Sequence, residues 1–125
     1  MMHPLRSPHE AYRRVEFDAR VSGADSAGLV LVCFEQFGQA LTAALGGHHS
    51  GDNQRRSAGL TSALAAITAL QLGIDGADGV AGSLNRYYAA ARRTLLGSVL
   101  AFDPAAIAAL RSDFAEVAAA LAEAG

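Results

Sequence analysis

The chain contains no lysine: all ten of its basic residues are arginine. Twelve acidic residues oppose them and leave a net charge of −2. That balance gives no reason to expect nucleic acid or an anionic membrane as partner. The all-arginine choice, beside an excess of alanine, reads as a bias of the source composition and not as chemistry. Cysteine is also scarce. Cys33 is the only one, so no internal disulfide can form. It sits in an apolar run, where cysteine behaves as a small buried hydrophobe, and this suits a reducing cytoplasm. A long apolar run is missing too. The longest, "LVLVCF" (29–34), falls well short of the roughly 20 residues of a membrane helix. The opening "MMHPLRSPHEAYRR" has no apolar signal core. The expectation is a soluble, cytoplasmic protein with no membrane partner. Charge is sparse at 18%, but hydrophobic residues reach 51%, which argues against disorder.

A length of 125 residues favours one domain with a real apolar core and no need of a staple. The organisation expected is a flexible stretch over 1–10, an N-terminal helix or arm over 11–24, and a helical bundle over 25–124. Asp25 and Ser26 are good helix caps. After them Val30, Cys33, Phe37, Leu41 and Ala44 recur at three- and four-residue spacing, one face of a helix. Gly46 and Gly47 are expected to end it, with "GGHHSGDN" as a loop. The next helix starts near Asp52 or Asn53, with Leu60, Ala63, Leu64, Ile67, Leu70 and Ile74 on its face. "DGADG" (75–79) closes that helix and caps the following one. The third stripe is Val80, Leu84, Tyr87, Tyr88, Ala91, Leu95, Val99 and Phe102. Asp103 followed by Pro104 is a strong start signal. It opens a last helix with Ile107, Leu110, Phe114, Val117 and Leu121 inward. Short polar loops between amphipathic helices predict an all-α fold, an antiparallel up-down four-helix bundle.

One stretch resists. In "VEFDARV" (15–21) apolar and polar residues alternate, the pattern of a half-buried strand. A single strand has no sheet to join. Tyr12, Val15 and Ala19 also share a helical face, and Ser7-Pro8 is a helix start. An additional short N-terminal helix with split amphipathicity, suited to loose docking, is therefore expected.

Chemistry is sparse. A catalytic nucleophile needs a base beside it, and Cys33 falls on a core face. His48, His49 and Asp52 offer too few ligands for a metal. The pairs Asp75/Asp78 and Asp113/Glu116 read as caps and solvated faces. "GADGVAG" follows a helix and not a strand, so it is no dinucleotide loop. Tyr87 and Tyr88 read as core packing before base stacking. No enzyme activity, cofactor or metal is expected. The helix after Asp25 is apolar on more than one side, because Leu31 and Phe34 stand beside its main face. Such a helix is buried from several directions, and one of those can be a partner.

Ala11-Tyr12, "LVLVCFEQFGQALTAA" (29–44), "GDNQRRSAGLTSALAAITAL" (51–70), "LNRYYAAARRTLLGS" (84–98) and "FDPAAIAALRSDFAEV" (102–117) follow one another along the chain. Together they resemble the FliS family, the cytoplasmic export chaperones of flagellin. The family opens with an Ala-Tyr pair and a cap before a leucine-rich helix. Cys33, Phe34 and Glu35 stand where that helix carries Leu-Tyr-Asp. Ser83-Leu84 and Tyr87-Tyr88 match its Asn-Leu and Leu-Tyr. Asp103 matches the Asp before its last helix. Asp25-Ser26 stands where the family has Ser-Pro. The resemblance implies a non-enzymatic protein that binds the C-terminal segment of flagellin, prevents premature polymerisation and passes the subunit to the flagellar export apparatus. The mode is a helix in a groove, ordered on binding. Leu31, Phe34, Tyr88 and Leu95 are the expected groove residues. Tyr12, Val15 and Phe17 are expected to rest near the groove when the partner is absent. The alternatives are a helical-bundle adaptor, another secretion chaperone and, least favoured, a histidine phosphotransfer domain. That last module needs an exposed histidine on a helix, usually followed by Lys-Gly.

Overall fold

The structure is a computed structural model that describes residues 26–73 and 79–124. The expected N-terminal helix over 11–24, with Tyr12, Val15 and Phe17, lies outside the described residues, as do Ile74 and Asp75–Asp78. The described residues form four helices and no strand: α1 Ser26–Ser50, α2 Asn53–Leu72, α3 Gly79–Leu100 and α4 Pro104–Ala124.

Their boundaries follow from capping chemistry. The Asp52 side chain accepts the Arg55 N–H at 3.0 Å and so fixes the start of α2. Asp103 does the same for α4 through the Ala106 N–H at 3.1 Å, ahead of Pro104. The turn into α2 needs a residue at φ +73°, and Gly51 supplies it. Gly73 closes α2, its N–H directed at the Ala69 and Leu70 carbonyls.

One expected boundary is overturned. Gly46 and Gly47 do not end α1, which continues through His48 and His49 to Ser50. These glycines serve contact and not termination. A methyl group on Gly47 would strike the backbone of Arg56 and Asp52, and one on Gly46 would strike the Arg55 guanidinium at 2.8 Å. A methyl group on Gly59 of α2 would meet the Ala44 backbone nitrogen at 2.5 Å. Small residues thus let α1 and α2 approach backbone to backbone.

Helix α1 packs most closely on α2 and also on α4; α3 bridges α2 and α4. The core joins Cys33, Phe34, Phe37 and Leu41 to Ile67, Leu70, Tyr88, Leu95, Ile107 and Phe114. Its centre is aromatic: Phe114 lies 4.1 Å from Phe37, 5.1 Å from Phe34 and 4.9 Å from Tyr87 between ring centroids. The second apolar side of α1 therefore meets α4. Val80 and Val99, expected inward, are 72% and 57% exposed. The stripe of α3 runs instead through Ser98, which is buried and accepts the Asp103 N–H through Oγ.

By length and composition, Gly28–Ser50 of α1 is apolar enough to cross a membrane, with a mean hydropathy of 1.4. No contiguous run announces this, because Glu35, Gln36, Gln39, Thr42 and several glycines interrupt it. A core helix has the same composition, and α1 here packs on α2 and α4, most closely on α2.

Candidate functional site

Two helices of this bundle leave an open seam. Along α1 and α4 lies a trough of about 720 Å³, walled by Leu31, Phe34, Phe114, Ala115, Ala118 and Ala122 among others. Its origin is local. The buried stripe of α4 is Ile107, Leu110 and Phe114. Beside it runs a second stripe, Arg111, Ala115, Ala118 and Ala122, at spacings of four and three. One-carbon side chains leave a channel where longer ones would close it. Opposite them Gly38 has open space at its missing side chain. A second cleft, of about 490 Å³, continues the seam toward His49, Pro104 and Ala108. Thr42 and Arg111 line both clefts.

The rim of the trough is polar. Glu35 accepts a hydrogen bond from Gln39 at 3.4 Å, and Arg111 Nη1 donates to Thr42 Oγ1 at 3.3 Å across the seam. Apart from Glu35 and Arg111 the lining is uncharged, so the trough suits an apolar stripe with polar flanks.

The sequence-expected residues fall into three sets. Leu31 and Phe34 line the trough. Phe34 also belongs to the core, only 4% exposed and edge-on to Tyr88 at 6.1 Å. Tyr88 and Leu95 are buried on α3, behind the trough and not in its lining. Tyr12, Val15 and Phe17 lie outside the described residues. The alanine stripe of α4 and Arg111 were missed. The signal was present as a second three-four repeat beside the core stripe, but alanine serves core and surface alike.

The titratable groups of the core are held neutral. Burial pushes the Cys33 thiol up to about 11, so it is no nucleophile at neutral pH. Burial first, then Asp113 and Glu116, push Tyr87 up to about 12. Its buried hydroxyl has no hydrogen-bond partner among the described residues. Tyr88 also rises to about 12, through burial first and then Cys33 and Tyr87. His48 and His49, expected in a loop, stand exposed in the last turn of α1, where His48 stacks on Phe102 at 4.8 Å. The loop position is therefore no ground against phosphotransfer. The carbonyl end of a helix nevertheless disfavours an added phosphate.

A small helical bundle with an apolar trough, and with no metal-binding cluster among the described residues, points to binding. The model of the family described as "Flagellar protein FliS" matches residues 8–125. The chain belongs to the FliS family. This is a family of flagellin export chaperones and not of enzymes. No curated protein and no solved structure matches the chain. Membership in the FliS family agrees with the four-helix, all-helical fold of the described residues.

Proposed function

We propose that this FliS-family chain is a cytoplasmic export chaperone that holds the C-terminal segment of flagellin in the α1–α4 trough. Holding the segment prevents premature polymerisation, and the complex is then passed to the flagellar export apparatus. The observation that carries the reading is the apolar trough itself, on a chain whose family is that of flagellin chaperones. A partner helix laying its apolar stripe there removes that surface from water, at about 25 cal/mol per Å² of apolar area.

In this reading the four helices form an antiparallel up-down bundle, with 11–24 as an additional short N-terminal helix. Tyr12, Val15 and Phe17 rest near the trough in the free protein and give way to the partner. Leu31 and Phe34 touch the bound segment. Tyr88 acts through Phe34, and Leu95 belongs to the core. The test places a charge in the wall at Ala118, a half-buried alanine that packs beside the core. Ala118→Glu should abolish binding of a C-terminal flagellin peptide, while circular dichroism stays that of a folded helical chain. Unchanged affinity in Ala118→Glu would remove the trough as the binding site.

A further inference from the structure

The trough is lined by one guanidinium, Arg111, whose charge has no carboxylate partner among the described residues. We propose that Arg111 selects the bound segment by pairing with a carboxylate on it, an inference that rests on the trough as the binding site. Arg111 shares the stripe of Ala115, Ala118 and Ala122 and lies where the two clefts of the seam meet. Its guanidinium reaches across to α1 and donates to Thr42 Oγ1 at 3.3 Å, while Thr42 donates to the Gly38 carbonyl at 3.0 Å. That contact anchors the side chain over the seam. A guanidinium has five N–H donors, and among the described residues no carboxylate pairs with Arg111. Arg92 makes a comparable bond to Thr68, Arg86 donates to Ser83 and Arg56 lies over Phe102 at 5.6 Å, but none of these three lines the trough.

The occupant that fits is a helical peptide with an apolar stripe and an aspartate or glutamate at the Arg111 station. Once seated, it shields the pair from water, so the pair counts for more than an exposed one. The other charged group of the trough is Glu35, seven residues before Thr42 on α1. At 1.5 Å per residue the two stations stand about 10 Å apart. The occupant's carboxylate therefore needs a residue that is not acidic two turns away. This fixes its register and rejects segments with acids at both places.

Titration calorimetry of the full chain with a synthetic C-terminal flagellin peptide tests this. Arg111→Met should weaken binding about tenfold and flatten its salt dependence, with Arg111→Lys between the two. The thermal midpoint should hold, because Arg111 is exposed. Arg111→Glu should lose binding and regain it with one peptide in which a single acidic residue is replaced by arginine. Wild-type affinity in Arg111→Met, or no rescue by any such peptide, overturns the pairing. If Ala118→Glu loses binding while Arg111→Met does not, the trough stands and the pairing falls. If both bind like wild type, the trough reading falls as well.

Discussion

The same substitution should have opposite effects at two glycines. Gly59→Ala and Gly38→Ala both replace a helix-interior glycine, which by itself favours the helix by about 1 kcal/mol. At Gly38 the new methyl group meets nothing within 4 Å. The propensity gain is kept, and stability should rise by about 0.5–1 kcal/mol. At Gly59 the methyl carbon would sit 2.5 Å from the Ala44 nitrogen and 2.8 Å from the Ala40 oxygen. Comfortable contact begins at roughly 3.5 Å. The obstacles are backbone atoms, so α1 and α2 must separate rather than a side chain swing away. Overpacking of this kind costs about 1–3 kcal/mol. Against the propensity gain, Gly59→Ala should destabilise by about 1 kcal/mol net. Urea unfolding followed by far-UV circular dichroism measures both. If Gly59→Ala stabilised the chain as much as Gly38→Ala, the close approach of α1 and α2 would be wrong.

Phe114→Ala should cost about 3–5 kcal/mol and Ile67→Ala about 2–5 kcal/mol, because both are buried; losses near zero in urea melts would place them outside the core. Asp52→Ala and Asp103→Ala should each cost about 1 kcal/mol by removing the capping bonds of α2 and α4; unchanged melts would mean that these caps do not hold the helix ends. Alkaline stability should fall. The folded chain keeps protons on Cys33, Tyr87 and Tyr88 up to about 11, 12 and 12, against ordinary values of 9.0, 10.0 and 10.0. Between those limits the unfolded chain binds fewer protons, so stability decreases as pH rises and is fully present below pH 9.0. A urea midpoint that stayed level or rose from pH 9 to about 12 would contradict these shifts.

Much of the fold was legible because its signals are local. Asp52, Asp103 and Pro104 announce helix starts by chemistry that acts within one turn. Cys33, Phe37, Ile67 and Phe114 announce the core by period. Glycine was ambiguous: Gly46 and Gly47 look like a stop signal, yet a glycine also serves where another backbone comes close, and only the neighbour α2 decides between them. Val99 and Ser98 show a similar limit, since three- and four-residue steps from Leu95 both continue a stripe. Of the candidate site, Leu31 and Phe34 were legible as excess apolar surface on α1. Most of that excess meets α4, as Phe34 does against Phe114. The alanine wall and Arg111 were not legible, because a trough is defined by what two helices leave unfilled between them.

The most direct measurement is titration calorimetry of the full chain with a C-terminal flagellin peptide, paired with circular dichroism of the mixture. The expected result is one-to-one binding, a gain of helix in the peptide, and loss of both in Ala118→Glu. No heat and no helix gain at high micromolar concentrations, from a chain that is itself well folded, would contradict the chaperone reading.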